Sequence, residues 1–528
     1  MRYLPRGVVV GLVSSTVILS FLAACAPAQA PPPAGAPPPD TRSQAASAPA
    51  PSSGASEWVV ALPEEAATLD PLYGQSTAGS TLAQSHIYDT LVGYQGANLQ
   101  QMPMLAESWK LLDERTWEFQ LRKGVKFHNG DEFTASDVTF SFEGYKSEKS
   151  ARRIYAEEIT SVEAVDPYTV RFTTRGPNPS LPANLASLYI VPRGAREQVG
   201  DEAFAAHPIG SGPYKFVEFV RGQRLVLEAN PDYWQGRVTP SKLTLRPISD
   251  PTTRVAELKT GGVQVIEAPP VAQLAELEGG NTEPVVIKGA RLIMHAFNTT
   301  KPPFNDVRVR QAVNYAVDRE GIIKGVLEGH GELLHGSFSS AWMGYDPSIQ
   351  PYPYDPAKAK QLLAEAGYPN GFETTFNHST GALLKDREIA EVVASQLAQV
   401  GIRVQLVPTE RAKLQSDWLN GSFDGFTSVV WGTAADPDPM LGWTFYKRKG
   451  HQPDDQLNGL VEQSRRTLDP EQRKRVLQEF SRYVHEQAYW LFIHAQDDFY
   501  AKQKDLPWEI WPASSTIQVQ RFYRVSGR

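Results

Sequence analysis

The stretch "PMLAESWKLLDERTWEFQLRKGVKFHNGDEFTASDVTFSF", residues 103–142, shows two kinds of hydrophobic periodicity in succession. Apolar side chains first alternate with polar ones, which predicts a half-buried β-hairpin. These apolar side chains are Trp117, Phe119, Leu121, Val125 and Phe127. The segment "TASDVTFSFEGY" then predicts a helix with Thr134 as its N-cap. A hairpin followed directly by a helix favours a body of mixed α/β type.

The alternation of strands and helices continues toward the C-terminus. Apolar residues at helical spacing predict helices within 305–320, 355–368 and 388–401. Apolar runs rich in β-branched residues predict strands at 402–408 and 426–431. Because a chain of 528 residues is too long for one simple core, we expect two or more α/β lobes with mixed sheets.

Composition and motifs exclude several classes of function. The net charge of −7, with no basic stripe interleaved with aromatics, argues against a nucleic-acid partner. A single cysteine, Cys25, excludes an intramolecular disulfide and cysteine-based zinc sites. The chain contains no HExxH, GxSxG, GxxxxGK[ST] or GxGxxG motif. A metal site at His330 and His335 is less favoured than a surface loop, and we expect no cofactor and no metal.

The N-terminus accounts for the cysteine. Two arginines and a short apolar run precede "LAAC", which ends at Cys25. This pattern predicts a lipoprotein signal peptide over residues 1–24 and a lipid on Cys25, whereas the alternative is a short uncleaved membrane anchor. Residues 25–56 are rich in proline, alanine and serine and predict a semi-extended tether. On either interpretation the body is periplasmic or otherwise extracytoplasmic.

Several motifs occur together in one order along the body. After the opening stretch come "PIGSGPYKF" (208–216), "NPDYWQG" (230–236), "FNTTKPPFNDVRVRQAVNYAVDRE" (297–320), "YDPAKAKQLLAEAGYPNGF" (354–372) and "SQLAQVGIRVQL" (395–406). Their ordered occurrence resembles family 5 of the extracellular solute-binding proteins, the binding components of peptide, oligopeptide and nickel ABC importers. The motifs cover nearly the whole body.

The resemblance implies a fold and a division into lobes. The fold is an α/β clamshell of the type II periplasmic-binding-protein kind, with two lobes, mixed sheets and a subdomain inserted in lobe I. Lobe I would take residues 57–290, with the insert near 93–207, and the chain would return to it over 500–528. Lobe II would take residues 291–499.

The resemblance also implies a function without chemistry. We expect a monomeric binding protein that captures a peptide or peptide-like solute in the cleft between the lobes. The membrane partners would be an ABC permease and its ATPase subunits, and the lipid on Cys25 would hold the protein at the membrane. Closure around the ligand would create the state that the permease recognises.

The segment "SVVWGTAADPDPMLGWTFY", residues 428–446, contains the first candidate ligand contacts. The resemblance places the loop after Trp431 at the cleft, and a strand-end tryptophan gives a rigid apolar wall. In peptide-binding members an aspartate three residues after this tryptophan pairs with the ligand's amino group, but here that position is Ala434. Asp436 either takes over the role or serves only as a turn residue beside proline.

Other residues are weaker candidates for ligand contact. They are Asp438, Trp443 and, in the loop 68–79, Tyr73, Gln75 and Ser76. The loop 68–79 is equally well explained as a plain connection from a strand to a helix. The arginine that binds the ligand's carboxylate in dipeptide-binding members has no clear counterpart, since Lys385 and Arg387 lie close to the next helix.

Two other functions remain open on the sequence. One is a secreted hydrolase that uses Asp436 and Asp438 as an acid/base pair, since glycosidases need two carboxyl groups a short distance apart. The other is a ligand-sensing lipoprotein that works without a permease.

Overall fold

The computed structural model describes residues 56–74, 77–95, 100–340, 342–379, 383–432, 436–508 and 524–525. The predicted signal peptide, Cys25 and all of the predicted tether except Ser56 lie outside the described residues, as do Gln75, Ser76 and Ala434. Among the helices that are described, none has the length and apolar character needed to cross a bilayer.

Strands and helices alternate along the described chain. The strands are β1 Glu57–Leu62, β2 Val92–Gln95, β3 Gln100–Pro103, β4 Ala106–Asp113, β5 Thr116–Leu121, β6 Ile159–Asp166, β7 Thr169–Thr174, β8 Tyr214–Val220, β9 Arg224–Ala229, β10 Val238–Thr239, β11 Lys242–Pro247, β12 Val265–Glu267, β13 Thr282–Phe297, β14 Glu332–Leu333, β15 Phe372–Ser379, β16 Ile402–Thr409, β17 Phe426–Gly432, β18 Trp490–Gln503 and β19 Arg524–Val525. The helices are α1 Ala78–Ile87, α2 Ala135–Lys146, α3 Arg153–Ala156, α4 Leu181–Leu185, α5 Arg193–Val199, α6 Asp201–Ala206, α7 Pro251–Lys259, α8 Leu274–Leu277, α9 Val307–Ala316, α10 Arg319–Gly325, α11 Pro356–Glu365, α12 Asp386–Gln399, α13 Arg411–Asn420, α14 Asp438–Thr444, α15 Asp455–Arg466 and α16 Pro470–Glu486, with a 3₁₀ turn at Val271–Gln273.

One long sheet runs through the body. Its strand order is β16-β15-β17-β13-β18-β12-β1-β11-β9-β8. The two longest strands, β13 and β18, pair with each other in the middle in antiparallel fashion. The strands on either side include parallel pairs, β1 with β11 and β12 on one side and β15 with β16 and β17 on the other. The sheet is therefore mixed, as predicted.

The buried apolar side chains form separate cores on the two sides of this central pair. One large core takes its buried members from the segment between Trp58 and Ile287 and from Tyr500, Leu506 and Trp508. Two further cores take theirs only from the segment 292–495. We call the body around the large core the first lobe. The body around the other two cores is the second lobe. The exact borders predicted for the two lobes and for the inserted subdomain are not tested by these cores and remain predictions.

The opening stretch folds with the predicted types of element, but the hairpin lies one strand earlier. Strand β5 pairs with β4 on its N-terminal side, and Val125 and Phe127 lie beyond it as buried core residues. Gly124, with φ of +73°, turns the chain just after β5 and prevents the strand from continuing. Helix α2 begins after Thr134, whose N–H donates to Asp137 Oδ2 at 2.9 Å in a capping arrangement.

Two glycines bring the neighbouring strands β15 and β16 into register in the second lobe. Gly371 and Gly401 precede the first paired residues, Phe372 and Ile402, and both have positive φ. A Cβ atom on Gly371 would stand 1.9 Å from the carbonyl oxygen of Gly401. The parallel pairing of these strands therefore depends on the missing side chain.

We expect Gly371→Ala to lower the free energy of unfolding by more than about 2 kcal/mol, because the new methyl group meets rigid backbone. The control is Gly367→Ala. It has a φ of +93° but nothing within 4 Å of a new Cβ, and should cost only about 1 kcal/mol. Urea unfolding of both variants measures the difference. Equal losses would show that the close approach does not matter.

Candidate ligand-binding cleft

The carboxyl ends of parallel strands from both lobes meet along one edge of the central sheet. In the first lobe, β1, β11 and β12 end at Leu62, Pro247 and Glu267. In the second lobe, β15 and β16 end together, with Ser379 opposite Thr409. In open α/β sheets ligands bind outside the carboxyl ends of the strands, where the connecting loops diverge.

A cavity of about 580 Å³ lies at this edge. Its walls come from the loops that follow β1, β11 and β12, from the loops that follow β15 and β16, and from the middle of β18. The lining residues are Leu62–Glu64, Ala78, Gly79, Ser249, Pro251, Arg254, Glu267–Pro270, Arg291, Leu383–Lys385, Arg411 and Gln496–Phe499. The volume is in the range of small-molecule sites, roughly 300–1,000 Å³. Both lobes contribute, so the cavity is an interlobe cleft.

The first-lobe wall carries a carboxylate with raised proton affinity. Burial raises the pKa of Glu267 to about 7, and Asp498 adds to the effect while Arg291 and Arg254 oppose it. Among the described residues, no basic side chain lies within ion-pair distance of Glu267. Arg254 instead donates to four backbone carbonyl oxygens, including that of Glu267 at 2.8 Å. Near neutral pH, Glu267 thus changes charge in contact with the cavity.

The floor of the cavity is formed by the central strand pair. Arg291 on β13 forms an ion pair with Asp498 on β18, with 2.9 Å between Nε and Oδ1. Next to it Asp497 is fully buried and accepts hydrogen bonds from Lys288 Nζ at 2.6 Å and from the backbone N–H of Gly289 at 3.1 Å. The charges of the floor are therefore largely compensated within the protein.

The second-lobe wall presents cations that the protein does not fully pair. Arg411 opens α13, and no carboxylate within the described ranges lies at ion-pair distance from it. Lys385 stands before α12 and approaches only the exposed Glu388, at 3.7 Å. Lys385 has a φ of 53°, and Ala268 on the opposite wall has a φ of 51°. Such left-handed non-glycine residues are uncommon and cluster at functional sites.

Trp431 and Trp443 lie together at the same edge of the sheet, beyond the lining of this cavity. Trp431 is the penultimate residue of β17, which runs parallel to β15. Its ring is half-buried against one of the two cores of the second lobe. It contacts Trp443 edge to face, with 6.1 Å between the ring centroids. The two tryptophans form an aromatic pair, and ligand contact by either remains a prediction.

The two predicted acids of the loop after Trp431 are held in ion pairs. Asp436 is buried and accepts from Arg473 Nη2 at 2.7 Å and, through its other oxygen, from Arg473 Nη1. It also accepts from the N–H of Asp438 at 2.9 Å, the turn contact that Asp-Pro sequences favour. Asp438 pairs with Arg465 at 2.6 Å. An ammonium ligand would have to compete with Arg473 for Asp436.

Tyr73 faces the first lobe and its cations. The guanidinium of Arg196 lies 5.0 Å from the centre of its ring, and Lys149 lies 5.9 Å away. Tyr73 is not among the residues that line the cavity, whereas Gln75 and Ser76 lie outside the described residues. Of the two basic candidates, Lys385 lines the cavity and Arg387 pairs with Glu391 at 2.8 Å on the exposed face of α12.

The charged residues of the cavity that were not predicted from the sequence are Glu64, Arg254, Glu267, Arg291, Arg411, Asp497 and Asp498. One signal could have found two of them. Glu267 ends the segment "VQVIE", whose β-branched residues favour a strand, and Arg411 follows the strand segment "IRVQLVPT" by two residues. A search for charged residues just after strands would have selected these positions. Asp497 and Asp498 lie within β18 and give no such signal.

Comparison with known proteins identifies the family. The sequence pattern described as "Bacterial extracellular solute-binding proteins, family 5 Middle" matches residues 100–452. The chain belongs to this family. It therefore has the two-lobed fold of the type II periplasmic binding proteins.

Relatives and solved structures are similar over most of their length. Heme-binding protein A of Haemophilus influenzae is 32% identical over 450 residues, covering 78% of this chain and 81% of that protein. The glutathione-binding protein GsiB of Pectobacterium atrosepticum is 29% identical over 494 residues, covering 88% and 93%. The structure of DppA from Helicobacter pylori in complex with the peptide STSA matches with a TM-score of 0.74 and 29% identity, covering 85% and 94%.

Family membership decides the general function. The protein is a substrate-binding component of an ABC importer, works with a membrane permease and an ATPase, and acts outside the cytoplasm. It is a transport binding protein and not an enzyme. The hydrolase alternative built on Asp436 and Asp438 is thereby excluded, in keeping with the ion pairs that both acids form.

The raised pKa of Glu267 gives a test of the cavity's electrostatics. A carboxyl whose folded pKa is about 7 stabilises the fold below its unfolded pKa and loses that contribution as pH rises through 7. Glu267→Gln should therefore gain stability relative to the parent between about pH 4.5 and pH 7, by on the order of 2 kcal/mol. Denaturant unfolding across this range measures the gain.

The matched control for this measurement is Glu278→Gln, which changes an exposed glutamate on the same lobe. Its stability difference from the parent should stay nearly constant over the same pH range. A flat difference for Glu267→Gln as well would contradict the burial of its charge.

Proposed function

We propose that the protein is a lipid-anchored binding subunit that captures a peptide or a peptide-like solute carrying a carboxylate. The interlobe cavity of about 580 Å³ is the binding site, and the closed protein delivers its ligand to the permease. The observation that carries the proposal is the pattern of unpaired or weakly paired charges on the cavity walls. Arg411 and Lys385 face it from the second lobe, and Glu267 faces it from the first.

This pattern fits a ligand with separated charges. A carboxylate gains most from a cation that has no protein partner, because binding then breaks no existing ion pair. Arg411 meets that condition, Lys385 has only the exposed Glu388 as a partner at 3.7 Å, and Arg291 is held by Asp498. Glu267 is the carboxylate available to an ammonium group, whose charge would in turn lower its pKa.

The ligands of relatives support the same chemistry. DppA of H. pylori holds a peptide, and GsiB is a glutathione-binding protein. A short peptide and glutathione both carry carboxylate and amino groups. The relative named for heme shows that the family's ligands extend beyond peptides, so the charge pattern of this cavity is needed to choose among them.

Other parts of the proposal rest on sequence. The lipobox ending at Cys25 supports a lipid anchor, and the Pro/Ala/Ser-rich segment 25–56 supports a tether that lets the body reach the permease. Ligand contacts by Trp431 and Trp443 remain part of the proposal, as do weaker contacts by Asp436, Asp438, Tyr73, Gln75 and Ser76. We propose that the protein works as a monomer.

Native mass spectrometry of the protein isolated from its own membrane tests the proposal. We expect co-purified peptides or a related zwitterionic carboxylate, because the cavity offers unpaired charges of both signs. The intact mass should also show lipid on the N-terminal cysteine. A neutral sugar as the bound species would contradict the ligand class, and an unmodified N-terminus would contradict the anchor.

Arg411→Ala should weaken binding of the identified ligand by about tenfold or more, because a charge-assisted bond to the carboxylate is lost. Lys413→Ala is the matched control. It removes a cation from the same helix whose partner is Asp417, at 2.6 Å. Titration calorimetry should show unchanged affinity for the control. Equal affinities for Arg411→Ala and the parent would place the carboxylate elsewhere.

A further inference from the structure

A buried ion pair outside the cavity joins the two lobes through one serine. Asp436 and Arg473 belong to the second lobe, and both are nearly inaccessible to solvent. The hydroxyl of Ser180 lies between them. It donates to Asp436 Oδ1 at 3.0 Å and is within 2.8 Å of Arg473 Nη2, from which it accepts.

The other hydrogen bonds of the ion pair among the described residues come from the second lobe. Arg473, in the first turn of α16, donates its Nε–H to the carbonyl of Ser464 on α15 at 3.0 Å. Asp436 accepts from the N–H of Asp438 at the start of α14. Three helices of one lobe thus hold the charges in place, so the pair does not need the first lobe in order to exist.

Ser180 belongs to the first lobe. It directly precedes α4, whose Leu181 and Leu185 are fully buried in the first core. Its own N–H donates to Asn178 Oδ1 at 3.1 Å, and the carbonyl of Asn178 accepts from the indole of Trp117. The hydroxyl therefore has a fixed position on the first lobe, more than 250 residues away in sequence from both of its partners.

Longer-range electrostatic interactions between the lobes lie beside this contact. Arg465, the partner of Asp438, also lies within electrostatic reach of Glu158, which precedes β6 of the first lobe. Tyr94, also of the first lobe, donates a hydrogen bond from its hydroxyl to the carbonyl of Ala183 in α4. It also interacts electrostatically with Asp436. Charges of the two lobes therefore also interact at longer range around the contact at Ser180.

The serine matters because a buried ion pair is stable only when its remaining hydrogen-bonding positions are filled. When the lobes are together, the Ser180 hydroxyl supplies one donor and one acceptor to the pair. When the lobes separate, water can supply both. An alanine at position 180 would leave the pair buried without either bond, which penalises the closed arrangement alone.

We infer that Ser180 is a positioning residue for ligand capture: acting through the Asp436–Arg473 pair, it stabilises the closed arrangement of the lobes. The inference rests on the proposed function in that closure is what retains the ligand. Apparent affinity scales with the population of the binding-competent state. The loop after Trp431 thus contributes to binding by holding the lobes together, an effect that does not require a contact between Asp436 and the ligand.

Fluorescence energy transfer between the lobes tests the inference without any ligand. Dyes are attached at Glu163→Cys and Lys474→Cys, two exposed positions on the two lobes, with Cys25→Ser so that protein lacking the lipid cannot be labelled at a third site. In this background Ser180→Ala should shift the ratio of open to closed protein by roughly tenfold toward open. The apparent affinity for the identified ligand should fall by the same factor.

Ser141→Ala is the matched control. Ser141 is equally buried, and its hydroxyl bonds only within the first lobe, to the carbonyl of Asp137 and from the N–H of Val191. It should lower the melting temperature but leave the distance between the dyes unchanged.

An unchanged dye distance in Ser180→Ala would overturn the inference, even if the protein binds peptides as proposed. An opened Ser180→Ala protein would support the inference even if the parent binds no peptide, in which case only the proposed ligand class fails. The same opening in Ser141→Ala would also overturn it, because general loss of stability would then explain the effect.

Discussion

The carboxylate of Asp497 holds the place where the two lobes join. Opposite this single residue of β18, three residues of β13, 288–290, leave the regular ladder, because Ile287 pairs with Asp498 and Arg291 with Gln496. Asp497 accepts from Lys288 and from the N–H of Gly289, so the excursion is bonded and not frayed. A bulge of this kind bends and twists a strand pair. Ile287, before the bulge, lies in the core of the first lobe. Leu292 and Met294, after the bulge, lie in a core of the second lobe.

The cleft follows from that bend. The carboxyl ends of the parallel strands of both lobes converge on one side, and Arg291 and Asp498 form its floor. The lobes meet again at Ser180, Asp436 and Arg473, outside the cavity. Closure is therefore constrained at two separate places, and the ligand needs to add only the difference in free energy between closed and open arrangements. The proposed charged ligand and the buried ion pair would each contribute to that difference.

Local signals in the sequence were sufficient for most elements of the fold. Helix α11 starts after Asp355 with Pro356 in its first turn and ends before Gly367, as such residues predict. The hairpin was predicted too far along the chain because the alternation of apolar and polar residues continues past Gly124. The turn at Gly124 is seen only in its backbone conformation. The cavity was harder to predict, since its charges are brought together from segments as distant as Glu64 and Phe499. The partner of Asp436 could not be read from "DPDP", because Arg473 is contributed by another helix.

The return of the chain to the first core has a consequence for folding during export. A chain that emerges N-terminus first presents most of the first core early, but Tyr500, Leu506 and Trp508 arrive last. Strand β12 also cannot complete its pairing until β18, its neighbour on one side, has emerged. By contrast, both cores of the second lobe are complete once residue 495 has emerged. The lobe that begins first is thus the one that finishes last, and its exposed apolar surface must be kept from aggregating until the C-terminal strand arrives.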